Sequence, residues 1–220
     1  MIKFLYSSIG KKLLIGLAGL FLCSFLLVHL SVNLLLLVND GGILFSSAAH
    51  FMTTNLIIRV IEIFLFTGFI LHILFGIITQ IQNWIARPIR YAKVNHSQTS
   101  FFSKYMIHTG AIVLSFLTLH FINFYFVKIG LVNLPAGAKD RHDFYTMAIN
   151  LFKNPFYSWI YMAFILFLGF HLHHALQSAF QTIGWNHPKY TPIIKNIGLI
   201  YSIIITMGFI TIPLYILYFL

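Results

Sequence analysis

The chain has 220 residues, of which 59% are hydrophobic and 8% charged. A mean hydropathy of +0.88 leaves too little polar surface to solvate a globule of this size, which excludes a soluble domain and indicates an integral membrane protein. The net charge of +10 comes from 14 Lys and Arg against four acids, Asp40, Glu62, Asp140 and Asp143; the basic residues sit in short loops beside apolar runs, not in one patch, which argues for membrane topology and against nucleic-acid binding.

The first apolar run follows Lys3, Lys11 and Lys12 and resembles the start of a secretory signal. It continues for about 26 residues with no small-residue cleavage site, so a retained anchor is expected. Five segments, roughly 13–38, 55–83, 104–128, 156–183 and 193–219, are each long enough for a hydrocarbon core of about 30 Å. At that length only helices satisfy their own backbone in lipid. The expected fold is therefore an all-α membrane protein, one five-transmembrane-helix bundle over residues 1–220, with connections too short for a second domain.

Lys3, Lys11, Lys12, Arg87, Arg90, Lys93, Lys104, Lys189 and Lys195 fall on one side of these spans. Arg59, Lys128, Lys139, Arg141 and Lys153, with all four acids, fall on the other. The excess of positive charge places the N-terminus in the cytoplasm and, after five spans, the C-terminus outside. Trp84, Tyr157, Trp159 and Trp185 near span ends read as interface anchors. The single cysteine, Cys23, allows no internal disulfide, and no C-x-x-C-H motif is present for covalent haem attachment.

Of eleven histidines, His50, His96, His142 and His187 fall in loops, and His108 sits near the inner end of span three as an interfacial or propionate-contacting residue. His29, His72, His120 and the HLHH group at 171–174 lie inside four different spans. Polar groups at such depth are costly and tend to mark function, although one buried histidine is also served by a hydrogen bond to a neighbouring helix. At 1.5 Å per residue His29 and His120 lie about 24 Å from the inner surface, His72 about 16 Å and His171 about 18 Å. The four sort into an outer pair, His29 with His120, and an inner pair, His72 with His171. This is the arrangement for two metalloporphyrins at different heights, each iron held between two imidazoles. With both axial positions filled, the chemistry is one-electron transfer.

His173 lies about 200° round the helix from His171, whereas His174 is about 60° away, so helix geometry leaves His171 and His174 both open as the ligand. Gly68 and Gly76, at i−4 and i+4 from His72, share its face and would let a flat macrocycle approach; a small-residue helix contact would use the same spacing. A zinc site would gather three or four ligands at one level. Glu62, the only acid in a span, suits either a proton-donating role toward a quinone or an ion pair with Arg59. Lys11, Lys12, Arg87 and Arg90 are candidate partners for haem propionates, though their role in topology already accounts for them. A transporter would need broken helices, and Pro213 is the sole proline deep in a span.

Histidines on the first four of five spans, with GLAGLFLCSFLLVHLSVN in span one, SSAAHFMTTNLIIRVIEI leading into span two and FHLHHALQSAFQTIGW closing span four, resemble the cytochrome b subunit of succinate dehydrogenase and fumarate reductase, in its single-chain, five-helix, di-haem form. The resemblance implies two b-type haems, the proximal one on His72 and His171 and the distal one on His29 and His120. It selects His171, directly after Phe170 with Ser178 and Gly184 following, over His174. It also implies a flavoprotein partner carrying FAD, an iron-sulfur partner, menaquinone or another quinone as substrate, and the bacterial cytoplasmic membrane as location. In some members a glutamate linked to quinone stands in the loop before span two; this loop has none. The function implied is electron passage within respiratory complex II, from the iron-sulfur partner to quinone, with no dicarboxylate site on this chain. Outward electron movement would gain up to about 2.3 kcal/mol per 100 mV of membrane potential. A di-haem anchor of a hydrogenase or formate dehydrogenase, or a histidine-using metal or proton transporter, is the alternative.

Overall fold

The structure is a computed structural model that describes residues 7–86 and 105–220. Lys3, Arg87, Arg90, Lys93, His96 and Lys104 lie outside the described residues. Helix α1 spans Ser8–Asn33 and tightens into a short 3-10 turn at Leu34–Leu37. It begins about five residues before its expected start, because the Ser7 hydroxyl accepts the Gly10 N–H at 3.0 Å and so caps a helix that takes in Lys11 and Lys12. Helix α2 is Ile43–Thr54, α3 Leu56–Ile85 and α4 Met106–His120. The last runs on through a π-helical turn, Phe121–Tyr125, to Lys128. Helices α5 (Phe144–Lys153), α6 (Pro155–Thr182) and α7 (Thr191–Phe219) complete the chain. Five of these, α1, α3, α4, α6 and α7, are long and apolar enough to cross a membrane.

Two helices stand where connecting loops are expected. The Asp40 carboxylate accepts the N–H groups of Gly42, Ile43 and Leu44 and starts α2, and Asp143 accepts the Thr146 N–H at 3.2 Å to start α5. Gly42 has φ +82°, and a side chain there would collide with the Tyr145 ring, so the αL turn is what lets α2 lie against α5. Helix α5 buries Met147, Ala148 and Phe152. It is tied to α6 by the buried Ser158 hydroxyl, which donates to the Phe152 carbonyl at 2.6 Å.

The packing order fixes where the histidines can meet. Helix α1 packs on α3 and α6, and α4 packs on α6 and more sparsely on α3, while α7 lies outside against α6 and α1. The first four spans thus form a quadrilateral in which α1 and α4 occupy one diagonal and α3 and α6 the other. Leu168, Leu172 and Leu176 of α6 meet Cys23 and Leu30 of α1 and Ile205 of α7 in one core cluster. The Tyr201 hydroxyl donates to the Cys23 carbonyl at 2.7 Å across the α7–α1 seam. Outward-turned residues such as Ile57, Ile63, Ile70 and Ile203 are exposed, as expected of a bundle whose apolar solvent is lipid.

Candidate functional site: two imidazole pairs on the bundle diagonals

His29 of α1 and His120 of α4 face each other across one diagonal, with ring centroids 5.8 Å apart and planes at 83°. His72 of α3 and His171 of α6 do so across the other, at 6.3 Å and 80°. Neither pair is joined by a hydrogen bond among the described residues. Two imidazole nitrogens bound on opposite sides of one metal at roughly 2 Å put the ring centres about 6 Å apart. Both separations match that span.

The two levels are tied to their neighbours by glycine. A Cβ on Gly19 of α1 would lie 3.3 Å from His72 Cε1, and one on Gly110 of α4 would lie 3.6 Å from His171 Cε1. His29 follows Gly19, and His120 follows Gly110, by ten residues on their helices, so on both helices the pairs are separated by about 15 Å. Counting from expected span ends gives a smaller separation.

At the inner level the hydrogen bonds fix the tautomers. His72 Nδ1 lies 3.2 Å from the Ile15 carbonyl oxygen, which can only accept, so Nδ1 carries the proton and Nε2 the lone pair. His171 Nδ1 lies 3.3 Å from Thr109 Oγ1. That hydroxyl gives its own proton to the Met106 carbonyl at 3.0 Å, leaving its oxygen to accept from Nδ1. Both inner imidazoles therefore keep Nε2 as their one free lone pair, and two acceptors cannot bond to each other. Such a pair suits a Lewis acid, and the Nδ1 partners orient rings in the manner usual for metal-bound histidine.

The outer pair is held differently. Asn33 Nδ2 donates to the His29 carbonyl at 2.8 Å and passes 3.4 Å from His29 Nδ1, while Phe25 stacks on the ring. His120 Nδ1 is buried with no hydrogen-bond partner. Packing alone steadies this ring, through Phe116, Phe124 and Tyr161 at centroid distances of 6.0, 5.1 and 6.4 Å.

Several expectations are revised by these positions. A Cβ on Gly68 would lie 3.3 Å from the Phe21 ring of α1, so this glycine permits a helix contact. A Cβ on Gly76 would meet nothing within 4 Å. The glycines that touch the inner imidazoles are Gly19 and Gly110, on the neighbouring helices. Glu62 is paired with Lys128 at 3.0 Å, not with Arg59, which points outward and is exposed, because the end of α4 brings the Lys128 ammonium between both carboxylate oxygens. The ring opposite His72 is that of His171; His174 is half-buried, and the His173 carbonyl backs onto α7 at Gly198. His108 stacks edge-on with Tyr105, and His50, His142 and His187 are exposed. Among the described residues no three His, Cys, Asp or Glu side chains converge on one point, whereas zinc needs three or four.

Replacing Thr109 by valine keeps the shape and removes the acceptor for His171 Nδ1. Loss of such a partner typically costs 10- to 100-fold in metal affinity, so a metal group held by His72 and His171 should be retained about tenfold less well, which transfer to apomyoglobin would measure if that group is haem. Comparison with known protein families, with curated proteins and with solved structures finds no match.

Proposed function

We propose that this chain is the di-haem cytochrome b membrane anchor of a succinate:quinone oxidoreductase, carrying one b-type haem between His72 and His171 and another between His29 and His120. The observation that supports it most is the inner pair, where two imidazoles from diagonal helices each keep one free lone pair at a separation that would suit a metal held between them. Bound there, haem supplies one-electron transfer between the two levels. The protein's contribution is orientation: Ile15 and Thr109 set the inner tautomers, and Gly19 and Gly110 let the neighbouring helices close on the rings.

In this reading the inner level faces the cytoplasm and receives an iron-sulfur partner with its flavoprotein, since Lys11, Lys12, Lys189 and Lys195 lie at that end of the bundle. A cavity of about 260 Å³ opens at the opposite end, lined by Ile122, Asn123, Val132, Asn133, Asn150 and Tyr157. Asn123 lies in the π-helical turn one turn beyond His120 and donates to the Tyr161 hydroxyl at 2.8 Å; π turns often mark functional positions. Its neutral amides suit the carbonyl oxygens of a quinone, which we place here. Glu62, paired with Lys128, is the one acid within a span at this end.

A reduced-minus-oxidised spectrum of the purified chain with haem counted per polypeptide tests the reading. Two b-type haems per chain are expected; none would end it. Pull-down of soluble subunits from the native membrane then separates a succinate dehydrogenase from a hydrogenase or formate dehydrogenase.

A further inference from the structure

We propose that Lys11, Thr79 and Gln82 form an anion site that receives a carboxylate of the porphyrin held by His72 and His171, a proposal that rests on the di-haem reading. Lys11 is 8% exposed. Among the described residues its ammonium donates to one acceptor, the neutral Gln82 Oε1 at 2.8 Å. An ammonium has three donors, and burying it against a neutral amide leaves its charge uncompensated, which is costly.

The chain cannot supply the missing anion. Its four acids are Asp40, Asp140 and Asp143, which lie in the loops at the other end of the bundle, and Glu62, which Lys128 already neutralises. A second group at the same end also lacks a partner. Thr79 Oγ1 is buried without a hydrogen bond, whereas the hydroxyls of Thr67, Ser115, Thr118, Thr182 and Thr211 each donate to the carbonyl four residues earlier.

Both groups lie inward of the inner imidazoles. Lys11 is one turn inward of Ile15, whose carbonyl holds His72. Thr79 comes seven residues after His72 on α3, two turns along the same face, with Gly76 between them adding no side chain. A buried cation, an unpaired hydroxyl and an amide thus line the inward side of the His72 level. Porphyrin carboxylates and lipid phosphates share the anionic oxygens this site selects; its continuity with the His72 face favours the porphyrin.

The test loads the full-length chain in nanodiscs with haem or with its dimethyl ester, whose carboxylates carry no charge, and follows transfer to apomyoglobin. Lys11→Met should lose one haem about tenfold faster than wild type, as expected for a lost charge-assisted hydrogen bond. Lys11→Arg should stay close to wild type, and Thr79→Val, which keeps the lysine, should lose it about threefold faster. One midpoint potential should fall in Lys11→Met and the other stay. With the ester, wild type and Lys11→Met should behave alike. A difference that persists with the ester, or that appears only in discs containing anionic lipid, overturns the assignment in favour of a lipid phosphate. Failure of the wild type to take up haem overturns the di-haem reading and this site with it.

Discussion

Replacing His29 by leucine is expected to give a chain that takes up one haem in place of two, and replacing His72 to give a chain that keeps the other one. The pairs draw on different helices and lie about 15 Å apart along α1, so loss of one imidazole leaves the second site with both of its own. Leucine fills a similar volume without a lone pair, so the helix packing around the position is preserved. The pyridine haemochrome assay should read close to one haem per chain for each single variant and none for the pair. His174→Leu should still bind two, since His174 is not the ring that faces His72. If either single variant retained both haems or lost both, the pairing would be wrong.

A second large effect should come from residues that ligate nothing. An added Cβ on Gly19 falls 3.3 Å from His72 Cε1, and on Gly110 3.6 Å from His171 Cε1. Alanine at Gly19 asks the imidazole to give a few tenths of an ångström, whereas alanine at Gly110 would rest on its imidazole in ordinary contact. Valine brings two more methyl groups to a ring that Ile15 or Thr109 holds by its Nδ1 edge, so accommodation must break that bond or tilt the ring. Misplacing one axial ligand by about 1 Å is enough to empty a site built on close geometry. Gly19→Val and Gly110→Val should therefore lose the inner haem and keep the outer, with Gly19→Ala intermediate and Gly110→Ala close to wild type. Helicity by circular dichroism should be unchanged, since β-branched residues are well tolerated in membrane helices. Loss of the outer haem, or of both, would contradict the placement of these glycines.

The spans were legible because hydropathy over about 20 residues is a strong signal. The grouping of the four histidines by depth was also legible, because helical rise converts chain position into height. What sequence spacing could not reach is anything set by which helix faces which. Gly68 and Gly76 share a face with His72, and the glycines packed against the imidazole rings are Gly19 and Gly110, on other helices. Glu62 has Arg59 three residues away, but Lys128, 66 positions further along, takes the carboxylate. The helices α2 and α5 carry a sequence signal: Asp143 stands directly before a short run that buries an apolar face, the sequence form of an N-cap, and Asp40 stands two glycines before another. Lys11 reads as a topology charge from sequence, since burial at a span end has no local signature. The π-helical turn after His120 likewise follows from packing and not from its residues, FINFY.

The diagonal placement of the two pairs has a mechanical consequence. Four rods joined only along the edges of a quadrilateral can rack, one diagonal lengthening as the other shortens, without breaking any edge contact. A rigid link across α1–α4 at one height and another across α3–α6 about 15 Å away act as crossed braces, because racking in either sense must stretch one of them. Loading both sites should thus stiffen the frame against shear, visible as slower amide exchange in α3 and α4, the edge with the sparsest packing.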